Sequence, residues 1–167
     1  QWGMGTNSVH FMDLLFFFAE CSDFKFTEVH LEDKVPDSKR DGFKEFVGHL
    51  KGMNSRGDSL ELICRDKGNG PITIDIQNGP EKFTLTTNFV NHFEFISSNE
   101  LASGIGKVSL PYQSEMTHLW VNDILTKGSC DLPIYADSIN LHLELIRVFT
   151  DHLQKISGKE IDVCPIT

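Results

Sequence analysis

The run Ile72-Thr73-Ile74-Asp75-Ile76-Gln77-Asn78-Gly79-Pro80-Glu81-Lys82-Phe83-Thr84-Leu85-Thr86 settles which class of fold to expect. Apolar and polar residues alternate from Ile72 to Ile76 and again from Lys82 to Thr86, the period of a strand that buries one face. Asn78-Gly79-Pro80 turns the chain between them. Two strands, a tight turn and no intervening helix imply an antiparallel hairpin.

The pattern extends in both directions. Phe24-Lys25-Phe26-Thr27-Glu28-Val29 alternates with period two. Phe43 to Lys51 and Ser59 to Arg65 are joined by Gly52-Met53-Asn54-Ser55-Arg56-Gly57-Asp58, a turn-rich link that suggests a second hairpin. Phe89 to Ile96 and Gly106 to Leu110 read as further strands, with Phe89, Phe93 and Phe95 in the sheet core and the alternate positions free to form a flat dimer face. Consecutive strands without helices between them give an antiparallel sheet.

Helical periodicity brackets this middle. Asn7 to Ala19 is apolar at Val9, Met12, Leu15, Phe16 and Phe18, and Leu14-Leu15-Phe16-Phe17-Phe18-Ala19 reads as a buried helix. Ser114 to Lys127 is apolar at Met116, Leu119, Trp120, Val121, Ile124 and Leu125 and stops at Gly128. Asp137 to Ile156 is apolar at Ile139, Leu141, Leu145, Val148, Phe149, Leu153 and Ile156 and stops at Gly158. The fold class is therefore α+β: a largely antiparallel open sheet of about six strands with helices on one face, as a single domain over residues 1–167. The other face of such a sheet is solvated or meets a partner, which points to a homo-oligomer formed through it.

Composition narrows the function classes. A chain of 167 residues with 40% hydrophobic content and thirteen Phe can build a core and is not disordered. Its net charge of −9 excludes nucleic acid and anionic membrane as partners, since both need clustered Lys and Arg. No apolar run approaches the ~20 residues of a spanning helix, and no basic leader precedes one. Gln1 is not an initiator Met, so the expectation is a fragment or a processed product. Cys21, Cys64, Cys130 and Cys164 form no C-x-x-C pair and no zinc spacing, and they are expected to be reduced thiols of a cytoplasmic protein.

The chemistry concentrates in Thr6-Asn7-Ser8-Val9-His10-Phe11-Met12-Asp13-Leu14-Leu15. Gly3 and Gly5 lead into Thr6 and Asn7, either of which can accept hydrogen bonds from the free amides of a first helical turn. His10 lies three residues after Asn7 on the same face, and Asp13 three further. An imidazole there suits proton transfer or substrate binding, because its pKa is near neutral. His10 and Asp13 alone are too few for a metal centre. His118 shares its helix with Gln113 and Glu115. His30, His49, His92, His142 and His152 show no partner pattern and read as surface or sheet residues. Gly3-Met4-Gly5 and Gly104-Ile105-Gly106 lack the strand or helix that a phosphate-cradling loop requires and read as turns.

Several segments in order resemble one enzyme family. Asn7-Ser8-Val9-His10-Phe11-Met12-Asp13-Leu14 looks like the helix that opens the second domain of the Gfo/Idh/MocA oxidoreductases. Lys39-Arg40-Asp41-Gly42-Phe43-Lys44-Glu45-Phe46-Val47-Gly48 and Pro111 to Leu125 resemble the same domain. Leu132-Pro133-Ile134-Tyr135-Ala136-Asp137-Ser138, Leu141-His142 and the tail Asp162 to Thr167 are similar to members from cell-surface sugar pathways. The resemblance covers nearly the whole chain. It implies the C-terminal, glucose-fructose oxidoreductase-like domain, which supplies substrate contacts and oligomerisation. The N-terminal Rossmann domain, which binds NAD or NADP and carries the catalytic Lys, has no counterpart here. The chain would thus hold no cofactor of its own and be inactive alone, while the complete enzyme would act on a hydroxyl or ketone of a sugar or nucleotide sugar. His10 fits the family's proton-exchanging His, with Thr6, Asn7, Gln113 and His118 as substrate contacts. Thr6 stands where the family often has an acid. The reading that competes is a non-catalytic α+β binding or scaffold domain.

Overall fold

Pairing of residues close in sequence builds every sheet of this chain. The structure, a computed structural model, describes residues 3–66, 70–87, 92–98, 103–109 and 111–166, with 87, 92–98 and 103–109 described by backbone alone. Helix α1 (Met4–Ala19) opens the chain. Strands β1 (Lys25–Leu31), β2 (Gly48–Met53) and β3 (Ser59–Cys64) follow as an antiparallel sheet in that order. Strands β4 (Ile72–Asn78), β5 (Glu81–Thr87), β6 (His92–Ser98) and β7 (Ser103–Ser109) form a second antiparallel sheet, a meander. Helices α2 (Gln113–Lys127) and α3 (Tyr135–Ser157) complete the order. The class is α+β, but the strands divide between two sheets and do not make the one open sheet expected.

The chain forms two compact units. The first combines Gln1–Gly68 with Pro133–Thr167, and the second is Asn69–Leu132. In the first, α1 and α3 pack together, α1 also lies against β3, and α3 against β1. α3 buries Leu141, Leu145, Val148, Phe149 and Leu153, one stripe at helical spacing. Phe149 stacks on Phe46 with ring centroids 4.0 Å apart. Met4, Met12, Phe24, Leu50, Leu62 and Cys64 complete this core. β3 shows why the sheet has one dry face: Leu60, Leu62 and Cys64 point inward while Ser59, Glu61 and Ile63 alternate outward. Gly52 of β2 is required by close packing, since a Cβ there would fall 2.5 Å from the Phe24 ring.

The hairpin expected across residues 52–58 is present, with Met53 opposite Ser59. Asn54 makes its turn: its Oδ1 accepts the amides of Arg56 and Asp58, and its Nδ2 donates to Asp58. β2, however, begins at Gly48 rather than Phe43. Residues 37 to 44 instead fold as a small loop closed by a bridge between Asp37 and Lys44, so Phe46 and Val47 reach the core just before the strand starts.

The Ile72–Thr86 hairpin lies in the second unit. β4 and β5 pair from Ile72 opposite Thr87 to Asn78 opposite Glu81, and Gly79 takes a φ of 57° in the turn. Phe89 and Leu110 lie outside the described residues, as do the side chains of Phe93 and Phe95. Gly104-Ile105-Gly106 is not a turn but part of β7, paired to Ser97, Ile96 and Phe95. α2 buries none of its residues. Among the described residues, no helix is long and apolar enough to cross a membrane.

Candidate functional site

The start of α1 has no side-chain cap of its own. Gly3 is the N-cap and has no side chain with which to cap the helix. α1 therefore begins at Met4, three residues before the expected Asn7, and Thr6 and Asn7 sit inside its first turns. Neither occupies the N-cap position expected of it. A carboxylate from a distant segment does this work: Glu45 Oε2 accepts the Gly5 amide at 2.9 Å, and Oε1 accepts the Thr6 hydroxyl. Asn7 Nδ2 donates to the Gly3 carbonyl at 3.1 Å. Gly3 makes the arrangement possible, because a Cβ on it would lie 2.1 Å from Glu45 Oε1. Gly3-Met4-Gly5 is thus a helix start shaped around a carboxylate and not a turn. A negative charge at that end also complements the helix dipole.

A cavity of about 370 Å³ opens beside this helix start. Gly3, Thr6 and Asn7 line it from α1, and Asp37 to Arg40, Glu45 and Asp66 from the loops. Cys64 also lines the cavity, and burial pushes its thiol above the ordinary value. His10 follows Thr6 by four residues and Asn7 by three, so the helix places all three on one face. His10 is exposed and makes no hydrogen bond or ion pair among the described residues. Its ring is therefore available to a ligand on that face.

The other expected site residues fall elsewhere. Gln113 opens α2 and His118 lies within it, both exposed and both in the second unit. Asp13 is committed to a side chain the sequence did not connect to it: His142 Nε2 sits 3.0 Å from Asp13 Oδ1, tying α3 to α1. His142 is therefore a helix-pairing residue rather than a surface bystander. His49 Nε2 lies 2.8 Å from Glu61 Oε1 without hydrogen-bond geometry, and its ring lies over His30 on the outer face of the first sheet, while His152 contacts the Glu32 carbonyl at 3.0 Å. Among the described residues, no three His, Cys, Asp or Glu are placed to share a metal ion. None of the four cysteines forms a disulfide.

Sequence reasoning missed Glu45 as a site residue. It lies 39 residues from Thr6 in sequence, and no periodicity links the two. The one available signal was Gly-x-Gly ahead of a helix without a capping side chain. No family model, curated protein or solved structure matches the chain.

Proposed function

We propose that this chain is the substrate-binding and oligomerisation domain of an NAD(P)-dependent oxidoreductase that acts on a hydroxyl or ketone of a sugar or nucleotide sugar. The observation that carries the reading is His10: an exposed imidazole without a protein partner among the described residues, one turn along α1 from a polar cavity. In this role His10 would take the proton of the sugar hydroxyl while a nicotinamide supplies the acceptor for the hydride of the carbon bearing that hydroxyl, and would return the proton in the reverse direction. Thr6 and Asn7 hold the sugar beside it. The resemblance of the Asn7–Leu14 segment supports this assignment.

The hydride acceptor would be NAD or NADP, bound by a Rossmann domain. The outer face of the first sheet, which exposes Met53 and Ile63, is proposed to meet a second copy. The test is the protein expressed from its complete gene, assayed for sugar-dependent reduction of NAD and NADP. Turnover with a sugar or nucleotide sugar is the expected result. A complete gene without a Gly-rich strand–turn–helix unit, together with no turnover, would leave a binding or scaffold domain as the reading.

A further inference from the structure

The walls of the cavity at the start of α1 hold two cations with no ion pair among the described residues, against one carboxylate, Glu45, that is held by neutral donors, in a strongly acidic protein. These walls hold three carboxylates, and each is already engaged. Asp37 pairs with Lys44, Asp66 lies 3.8 Å from Lys34, and Glu45 is held by the Gly5 amide and the Thr6 hydroxyl. The cations on the same walls are different. Lys39 and Arg40 are exposed, line the cavity side by side, and form no ion pair among the described residues. By contrast Lys25 and Arg147, which line a second cavity of about 360 Å³, are both spent on the buried carboxylate of Glu144.

The segment that presents Lys39 and Arg40 is built to hold its shape. The Ser38 amide donates to the Phe43 carbonyl at 2.8 Å and the Phe43 amide to Arg40 at 3.2 Å, closing a tight loop. The Glu45 amide donates to Pro36 at 2.9 Å and the Lys44 amide to Pro165 at 2.7 Å, so the base of the loop is anchored on two sides. Gly42, at the tip, has a φ of 82°, a conformation that favours glycine. Cations on a braced loop lose less freedom on binding than cations on a mobile one. A guanidinium beside an ammonium offers a planar donor fork together with a point charge, which suits the oxygens of a phosphate or a carboxylate.

We propose that this cavity binds the anionic group of the substrate, a phosphate or a carboxylate, through Lys39 and Arg40. The inference rests on the sugar-oxidoreductase reading for what the rest of the ligand is. The anionic group anchors the sugar at the loop, and its reacting carbon extends along α1 toward His10. A nucleotide sugar supplies such a group as its diphosphate and a uronic acid as its carboxylate.

The test is a nuclear magnetic resonance titration of the 167-residue chain with uridine diphosphate, with glucuronate, and with neutral glucose. Either anion should move the amides of Thr6, Asn7, Ser38, Lys39 and Arg40, and glucose should not. A tighter fit of uridine diphosphate assigns a phosphate source, and of glucuronate a carboxylate source. Lys39→Ala and Arg40→Ala should each weaken binding about tenfold, and added salt should weaken it further. Three results would overturn the proposal: no anion binding at millimolar concentration, shifts centred on Lys25 and Arg147, or unchanged affinity in the double variant. The titration contains no nicotinamide and no turnover. Its failure removes the anionic substrate class, whereas failure of the oxidoreductase reading shows only in the turnover assay.

Discussion

Glu45 is the residue on which the candidate site turns. Its carboxylate does the capping that Gly3 cannot, and Glu45→Ala should release the Gly5 amide and the Thr6 hydroxyl together. By analogy with the loss of a capping side chain, the cost is about 1 kcal/mol, read as a lower thermal midpoint. Gly3→Ala is expected to destabilise through the same carboxylate, because the added Cβ meets Glu45 Oε1 at 2.1 Å. Glu45→Ala should make Gly3→Ala milder, and strictly additive losses would show that the two residues are not in contact. The sequence made the neighbourhood legible through glycines, polar residues and an imidazole at helical spacing. It hid the carboxylate, because a loop brings Glu45 in from a separation that no local pattern encodes. The same holds for Asp13 and His142, whose partners lie on different helices.

At the scale of elements, α3 decides how the first unit responds to acid. Glu144 is buried, and burial works to raise its pKa. Hydrogen bonds from Arg147, Lys25 and the Phe26 amide outweigh that and hold the carboxyl below its ordinary value. A depressed folded-state value stabilises above the unfolded one, so this contribution is complete above the ordinary value of 4.5 and is lost as pH falls below it. Asp23 behaves alike further down. The Cys21 thiol and the Ser55 side chain and amide lower it to about 2, and its contribution disappears as pH falls from 3.8 through that value. The thermal midpoint should therefore drop between about pH 5 and 2, and Glu144→Gln should flatten the upper part of that drop. An identical pH profile in Glu144→Gln would contradict the assignment. Phe149→Ala should cost about 3–5 kcal/mol, since it removes the ring stacked on Phe46 at the centre of the core.

Helices and hairpins were the legible part at this scale, because period 3.6 and period 2 are written locally. The ends of α2 and α3 at Gly128 and Gly158 fall where glycine in the left-handed region stops a helix. Phe17 and Phe18 were not legible as exposed residues: α1 is apolar on most sides, and only its packing partners decide which rings are covered.

The whole molecule departs from the expected single sheet because its described strands divide into β1–β3 and β4–β7. Hydrophobic alternation marks strands but carries no record of which strand joins which, so seven strands in two sheets and one continuous sheet leave similar sequence patterns. The division has a measurable consequence. The core described above belongs to the first unit, while α2 in the second unit buries no residue. Amides of α3 should therefore exchange with solvent much more slowly than those of α2. Equal protection along both helices would show that α2 is held as firmly as the core.

His10 is proposed to move a proton during hydride transfer. The most direct measurement compares His10→Ala with the unaltered sequence in the protein from the complete gene, with kcat and KM determined separately. The account predicts a kcat lower by about 10²–10⁴-fold with little change in KM, and a similar loss in His10→Asn, which keeps a hydrogen bond but cannot titrate. A variant with normal kcat per folded molecule would contradict it.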